Sequence, residues 1–410
     1  MTTMSSSTPT TQSQFGQRPR RVVLYSHDTF GLGHLRRSRA LASALTQSGV
    51  VASAIILTGS PVAGRFTFPP GVDHVRLPGV KKLADGTYVS QNAGMDLEAT
   101  TSLREGLINS TIAHYEPDLL IVDKEPTGFR GEMLPILERL TKAGRTRIVL
   151  GLRDVLDEPE VLANEWARKG ALEAAEKYYD ELWVYGPKSV YDPTKGLPLS
   201  DEVRARTVWT GYLRRAVIDH ADVPDNPYIL VTPGGGGDGE AMVDLVLKAY
   251  EQDPDLGPQA VLVYGPFLSG DTRDAFEKRV AALDGRVTAT GFDSRIEALF
   301  VGAQGVICMG GYNTFCEVLS FDQRAVIVPR TKPRLEQWIR ANRAEELGLV
   351  RNLDEFRDGL TPEAMIAAIR GLPHQKRPSE AGADGLLDGL DVVIERSRGL
   401  VDPALSNAAE

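Results

Sequence analysis

The stretch from Gly305 to Arg343 decides the fold: GVICMGGYNTFCEVLSFDQRAVIVPRTKPRLEQWIRANR. A short apolar run at 306–309 is followed by a turn at Gly310-Gly311 and by a helical pattern from 313 onward. A second apolar run at 325–328 ends at a proline and leads into another helical segment. A strand, a glycine turn, a helix and a second strand form the unit that binds nucleotides at the carboxyl ends of a parallel sheet. The sequence therefore predicts an α/β protein with a nucleotide site in this region.

The remaining chain contains two more units that begin with a glycine loop. Residues 22–25 form a predicted strand, 27–33 a glycine-bearing loop and 34–47 a helix, and the same order recurs at 228–250. Between these units, predicted strands alternate with predicted helices, which indicates a parallel sheet covered on both faces. The predicted organisation is a disordered tail (1–19), a first domain (20–218), a linker (219–227), a second domain (228–372), a linker (373–384), a helix (385–400) and a tail (401–410).

Composition excludes several classes of protein. The net charge of −9 argues against a general binder of nucleic acids or anionic membranes. No apolar run approaches the roughly 18 residues of a transmembrane helix, and the first nineteen residues lack the apolar core of a signal peptide. The two cysteines, Cys308 and Cys316, fit buried side chains in a reducing compartment. We therefore expect a cytoplasmic protein.

Neither a metal site nor a cofactor is predicted. Histidines and cysteines do not cluster with zinc spacing. The sequence Asp253-Pro254-Asp255 imitates a metal-binding DxD, but it follows the end of a helix and so belongs to the opposite edge of the sheet. A dinucleotide fingerprint is also absent, because Arg36 stands where a third small residue is needed and the second strand ends without an acid.

The second glycine loop, at 234–239, indicates a diphosphate site. Glycines between a strand and a helix leave backbone N–H groups uncovered, and the helix dipole adds positive potential. A Walker loop would continue with Lys-Ser or Lys-Thr, whereas Glu240-Ala241 follows here, so ATP hydrolysis is disfavoured. The alternative is a flexible turn, for which four consecutive glycines are a costly choice.

Glu317 has two interpretations on residue types alone. Thr314-x-x-Glu317 matches a capping box, in which the glutamate only satisfies the start of its own helix. In the functional interpretation, the carboxylate accepts hydrogen bonds from the two hydroxyls of a ribose.

Three residues of the first domain are candidates for a general base. His34 follows a glycine loop at a helix start, where it would face the crevice between the domains. Asp123 and Asp154 end predicted strands, and carboxylates at strand carboxyl ends face the ligand crevice. The alternatives are a helix-terminal histidine without a role and aspartates that cap helices or turns.

Residues 20–400 as a whole resemble the two-domain GT-B glycosyltransferases, most closely the group containing the transferase that adds N-acetylglucosamine to lipid I in peptidoglycan synthesis. The resemblance implies two Rossmann-like parallel-sheet domains facing each other across a cleft. The matching motifs are Gly31-Leu32-Gly33-His34, Gly211-Tyr-Leu-Arg-Arg215, Gly235-Gly236-Gly237-Asp238-Gly239, Gly311-x-x-Thr314-x-x-Glu317 and Glu336-Gln337.

The resemblance also implies roles for individual residues. It makes His34 the candidate base near the acceptor, with Gly31 and Gly33 in the loop before it, and it puts Arg215 on a donor phosphate and Phe292 against the nucleobase. It favours the ribose interpretation of Glu317. Glu336-Gln337 matches a glutamine pair that contacts sugar hydroxyls; the first member is Glu here, so the sugar stays open.

The predicted function is inverting, metal-independent transfer of a sugar from a nucleoside diphosphate sugar, with uridine expected, to a hydroxyl acceptor. Two rivals stay open: a non-hydrolysing nucleotide-sugar epimerase and a non-catalytic nucleotide-sugar-binding protein. The acceptor is also open. Arg36, Arg37 and Arg39 form a basic cluster that could meet a phosphate-bearing or lipid-linked acceptor, or else form a solvated helix face.

Overall fold

Two parallel sheets dominate the protein, seen here in a computed structural model that describes residues 18–27, 32–82, 87–91, 94–217, 223–235 and 237–402. The strands are β1 (Arg21–Ser26), β2 (Ser53–Thr58), β3 (Val72–Arg76), β4 (Val80–Lys82), β5 (Tyr88–Ser90), β6 (Leu119–Asp123), β7 (Arg147–Arg153), β8 (Glu181–Tyr185), β9 (Thr207–Trp209), β10 (Tyr228–Thr232), β11 (Gln259–Val263), β12 (Val287–Thr290), β13 (Gly305–Cys308), β14 (Ala325–Ile327) and β15 (Arg351–Asn352).

Helices cover both faces of these sheets. They are α1 (Gly33–Gln47), α2 (Leu97–Tyr115), α3 (Leu134–Ala143), α4 (Pro159–Arg168), α5 (Ala171–Tyr178), α6 (Asp201–Ala205), α7 (Glu240–Gln252), α8 (Gly270–Ala281), α9 (Ile296–Gly302), α10 (Tyr312–Ser320), α11 (Glu336–Glu346), α12 (Pro362–Gly371) and α13 (Gly389–Val401).

The first sheet has the order β3-β2-β1-β6-β7-β8-β9 and the second β12-β11-β10-β13-β14-β15, with every pairing in both sheets parallel. Central strands such as β6 and β8 are buried throughout, because helices cover both sides. In each sheet the strand order reverses beside the first strand, between β1 and β6 and between β10 and β13. Ligands bind at this switch point in open α/β sheets. The predicted α/β class with two Rossmann-like sheets is confirmed.

Two expectations from the sequence pattern were wrong. The Pro- and Gly-rich pattern of residues 60–100 predicts long connections with one short strand, but this region also contains the antiparallel hairpin β4–β5. The pattern at 159–177 predicts a single helix, but α4 and α5 are separated at Gly170, whose φ of +64° breaks the helix. The predicted linker at 373–384 contains short 3-10 turns.

The last helix returns to the first domain. Predicted at 385–400, it begins at Gly389, and α13 packs against α1. A Cβ on Gly389 would overlap the backbone of Tyr212, so only glycine allows this close approach. The chain thus crosses between the two sheets twice, before β10 and again before α13. The second crossing constrains how the two sheets are placed relative to each other.

Candidate active site

A cleft of about 1210 Å³ opens where the switch points of the two sheets face each other. It brings together most of the predicted site residues; those that line it are Gly33, His34, Gly235, Gly237, Phe292, Gly311, Thr314, Glu317, Glu336 and Gln337. Gly239, Gly310, Asp123, Asp154 and Arg215 lie outside the lining. Gly31 and Gly236 lie outside the described residues.

The glycine loop after β10 packs closely against the end of β11. Gly234 has a φ of +79°, and a Cβ on Gly265 would overlap the Gly234 carbonyl oxygen. Gly239 forms the N-cap of α7 without a side-chain cap. The amino end of this helix therefore stays open toward the loop, as an anion site requires.

The Gly310-Gly311 turn gives α10 a second open amino end. Gly310 has a φ of +71°, and a Cβ there would lie 2.7 Å from Cγ2 of Ile327. Gly311 is the N-cap of α10 and makes no side-chain cap. Thr314 is therefore the third residue of the helix, and the capping-box interpretation of Thr314 and Glu317 is wrong.

Glu317 instead contacts the first domain. It is 1 % exposed and forms an ion pair with Arg36 of α1, which also donates to Glu297 at 2.9 Å. Burial raises the pKa of Glu317 to about 7; Arg36 opposes this shift and the nearby Glu297 adds to it. A buried carboxylate that titrates near neutrality and faces the cleft has the character of a binding-site group.

His34 and Asp123 form a hydrogen-bonded pair at the carboxyl ends of β1 and β6. The Nδ1 atom of His34 lies 2.5 Å from Oδ2 of Asp123, and Arg37 donates to both carboxylate oxygens, at 2.8 and 2.5 Å. Burial by itself would raise the pKa of Asp123, but Arg37 and His34 lower it below its ordinary value. Asp123 is thus a fixed anion, and a neutral His34 that donates from Nδ1 keeps the lone pair of Nε2 for a proton.

The carboxylate of Asp154 is hydrogen-bonded to side chains away from the cleft. It is 1 % exposed and accepts from Arg340 at 2.6 and 2.8 Å and from the hydroxyl of Tyr212 at 3.1 Å. Arg340 belongs to α11, so the pair joins the two domains. With both oxygens engaged away from the cleft, the carboxylate is not in a position to take a proton from a substrate there.

The structure places Arg215 and the three arginines of the basic cluster against partners within the protein. Arg215 donates to Oδ1 of Asn313 at 2.6 Å, beside the open end of α10 but outside the cleft lining. Arg36 and Arg37 hold the carboxylates described above, and Arg39 donates to the backbone oxygen of Thr67 at 2.8 Å. Because all three side chains are engaged with other residues of the protein, the cluster is not a solvated helix face, whereas its contact with a phosphate-bearing or lipid-linked acceptor stays a prediction.

The far end of the cleft is lined by the start of α11. Glu336 pairs with Arg330 at 2.6 Å, and Gln337 accepts from the backbone of Arg330 at 3.2 Å. Arg330 also pairs with Asp238 of the glycine loop at 2.6 Å. Sequence reasoning missed this arginine; its position directly after Pro329, at the carboxyl end of β14, is the signal that could have found it.

Aromatic side chains line the opposite part of the cleft. The ring of Phe292 packs edge to face against Phe66 of the first domain at 5.8 Å, and the guanidinium of Arg65 lies over it. This apolar wall suits a flat ring such as a nucleobase. In the described part of the chain, no cluster of three His, Cys, Asp or Glu side chains could hold a metal ion. Nor is any helix among these residues long and apolar enough to cross a membrane.

Known proteins share the fold at low sequence identity. A scan of protein-family models and a search of curated proteins gave no match. Among solved structures, the glycotransferase of kitacinnamycin is 18% identical with a TM-score of 0.60, covering 96% of this chain and 99% of its own. A UDP-glucosyltransferase from Polygonum tinctorium, capable of glucosylating indoxyl, is 14% identical with a TM-score of 0.63, covering 94% and 99%.

A third similar structure is TcCGT1 in complex with UDP, at 14% identity and a TM-score of 0.65, covering 94% of this chain and 99% of its own. At these identities the likeness concerns the fold, and it extends over nearly the whole of each chain. The narrower likeness to the lipid I transferase group stays a prediction. The chain thus has the GT-B fold of nucleotide-sugar-dependent glycosyltransferases.

Proposed function

We propose that this protein transfers a sugar from a nucleoside diphosphate sugar to a hydroxyl acceptor with inversion of configuration. The observation that carries the proposal is that the His34–Asp123 pair opens onto the same cleft as the glycine loop and Glu317. A proton acceptor in one domain thus faces a nucleotide site in the other. Uridine is the expected nucleoside, and the similar structure with bound UDP supports this choice. A cytoplasmic location and a lipid-linked acceptor stay predictions.

The donor would occupy the second domain. Its diphosphate would lie at the open amino ends of α7 and α10, where helix dipoles and uncovered N–H groups attract negative charge. The two hydroxyls of its ribose would donate to the carboxylate of Glu317, which requires Arg36 to share or release that carboxylate. Its sugar would reach Glu336 and Gln337, and its base would stack near Phe292.

The reaction would follow from this arrangement. Nε2 of His34 takes the proton of the acceptor hydroxyl as the acceptor oxygen forms a bond with the anomeric carbon. The bond from that carbon to the diphosphate oxygen breaks, and the diphosphate leaves with the electron pair. Asp123 stabilises the imidazolium, while the two helix ends and Arg215 stabilise the departing anion. Protein groups thus supply the positive potential, and the proposal includes no metal.

A second cavity, of about 820 Å³, would hold the acceptor. His27, Tyr88 and Phe129 line it, and the rings of His27 and His34 are 5.9 Å apart, so the cavity adjoins the proposed base. Burial lowers the pKa of His27 to about 3, which keeps this imidazole uncharged, while Glu125, Arg130 and Lys169 line other parts of the cavity. The aromatic lining favours a flat acceptor bearing a hydroxyl group, and the Polygonum tinctorium enzyme acts on one, indoxyl.

A transfer assay tests the proposal. The protein is incubated with UDP-sugars and a set of phenolic and aliphatic hydroxyl compounds, and UDP release, product mass and the configuration of the new bond are measured. We expect an inverted product whose formation is lost in His34→Ala and retained in His374→Ala, a matched change at an exposed histidine. Release of UDP that persists in His34→Ala, or a product with retained configuration, would contradict the proposed mechanism.

A further inference from the structure

One cation of the cleft, Arg153, differs from the other cleft arginines in its contacts. Arg153, the last residue of β7, lines the cleft, and its side chain forms no hydrogen bond or ion pair with any residue in the described ranges. The other cleft arginines are all engaged: Arg36 with Glu317, Arg37 with Asp123 and Arg330 with Glu336. Arg153 therefore differs from these arginines, because its guanidinium lines the cleft and is available to bind a ligand.

The surroundings of Arg153 make an open guanidinium unfavourable. Its Nε atom is buried without a hydrogen-bond partner. Burial lowers the pKa of Arg153 to about 10, Glu336 opposes the shift, and the charges of Arg37 and Arg340 add to it. A half-buried guanidinium whose Nε lacks a partner costs free energy that an anionic ligand would recover on binding. The site is thus prepared for an anion that the chain itself does not provide.

The position of Arg153 indicates which part of a substrate would carry this anion. In the pairing of β6 with β7, Asp123 stands opposite Gly151, so Arg153 follows two residues beyond the carboxylate that orients His34. Among the acids around Arg153, Glu336 in the first turn of α11 attracts the guanidinium most strongly. The transferred sugar must span this interval, because its anomeric carbon faces His34 and its hydroxyls reach Glu336 and Gln337.

We propose that Arg153 binds a carboxylate on the transferred sugar, so that the donor is a nucleoside diphosphate hexuronic acid. This inference rests on the proposed function. A guanidinium binds a carboxylate through two parallel hydrogen bonds, which gives both affinity and orientation. The diphosphate is the other anion of the donor, but its site lies at the helix ends of the second domain, with Arg215 beside it.

Calorimetric titration of the full-length protein tests the assignment, with UDP, UDP-glucose, UDP-galactose and the two corresponding UDP-hexuronic acids as probes. We expect at least one uronic acid to bind about tenfold or more tightly than its neutral counterpart, the range of a charged hydrogen bond. Arg153→Gln should abolish this preference and leave the affinity for UDP unchanged. Arg153→Lys should retain part of it. Arg370→Gln, which alters an exposed pair with Asp253 at the opposite edge of the sheet, should change nothing.

Several results would overturn the inference, and they separate it from the proposed function. Equal or tighter binding of the neutral sugars refutes the uronic acid but leaves sugar transfer standing. A preference that persists in Arg153→Gln refutes the role of Arg153. Weaker binding of UDP itself in Arg153→Gln assigns the residue to the diphosphate instead. If no UDP species binds at all, the proposed uridine donor and this inference fail together.

Discussion

Replacing Asp154 by asparagine tests whether the carboxylate of this residue has a structural or a catalytic role. In the wild type, Asp154 neutralises Arg340 across the domain interface, and both side chains are almost fully buried. Asparagine has nearly the same shape but no charge, so the guanidinium would stay buried without a counter-ion. Breaking a buried pair in this way costs about 3–5 kcal/mol. The free energy of unfolding should fall by that amount, while the proposed base, His34, is untouched.

The measurement combines urea unfolding, followed by circular dichroism, with turnover of the folded variant. We expect a clearly lower unfolding midpoint and a turnover within severalfold of the wild type. Asp123→Asn should behave differently, because it also removes the anion that orients His34, and turnover should fall by about 10²–10⁴. Wild-type stability together with a hundredfold loss of turnover in Asp154→Asn would refute the reasoning and make Asp154 the base.

A double-mutant cycle sharpens this test. Asp154→Leu and Arg340→Met each leave one buried charge without its counter-ion, whereas the double variant replaces the pair with apolar side chains. The double variant should therefore be more stable than either single variant, because no unpaired charge remains. Arg340 also donates to the carbonyl of Gly310 at 2.9 Å, so some loss should persist in the double variant.

Three further predictions follow from the cleft. His34→Ala should reduce turnover by about 10²–10⁴ and leave the affinity for UDP unchanged, as calorimetry and initial rates can show. In the proposed binding mode both ribose hydroxyls donate to ionised Glu317, whose pKa is raised to about 7, so the affinity for UDP should fall as the pH drops from 8 to 6. Glu317→Gln should bind UDP weakly and without this pH dependence. Gly310→Ala should lower the free energy of unfolding by about 1–3 kcal/mol, because its φ is positive and a Cβ would press on Ile327.

Each of these has a control or a contradicting result. Weaker UDP binding in His34→Ala would mean that the histidine contacts the donor. Affinity that rises toward pH 6 would mean that the protonated form of Glu317 binds the ribose. Gly371→Ala is the matched control for Gly310→Ala, since its φ is −76° and nothing lies within 4 Å of an added Cβ. Equal stability of these two variants would contradict the strain argument.

The raised pKa of Glu317 also affects folding in the absence of ligand. Its ordinary value is 4.5, so between pH 4.5 and 7 the folded state holds a proton that the unfolded state has released. Stability therefore decreases as the pH rises through this window. Nucleotide binding should oppose that decrease, because it supplies partners for the ionised carboxylate.

The half of the cleft that the second domain forms could be predicted, because the sequence patterns that indicate it are local. Gly310-Gly311 stands between a strand and a helix, and the positive φ of Gly310 and the open end of α10 follow from that order. The same holds for the glycine loop after β10. Glu336-Gln337 stands at the start of the next helix, α11, after β14. In each case the residues that form the feature are close in sequence, so pattern and structure coincide.

The contacts between the domains could not be predicted in this way. Arg36 and Glu317 are 281 residues apart, and Asp154 and Arg340 are 186 apart. Such pairs depend on how the two sheets meet, which no periodicity within either segment encodes. Arg36 and Arg37 therefore looked like a basic cluster when each was in fact the partner of a distant acid. Arg153 was not recognised either, because only the tertiary structure shows that it has no hydrogen-bond or ion-pair partner among the described residues.

The central claim is that the cleft binds a nucleoside diphosphate sugar, and thermal unfolding in the presence of nucleotides tests it most directly. A panel of UDP, GDP and dTDP with their sugars is compared at concentrations far above the expected dissociation constants. A ligand at 100 times its dissociation constant stabilises the folded state by about 2.7 kcal/mol. We expect such stabilisation by UDP and UDP-sugars, reduced in Glu317→Gln. No stabilisation by any member of the panel would contradict the account.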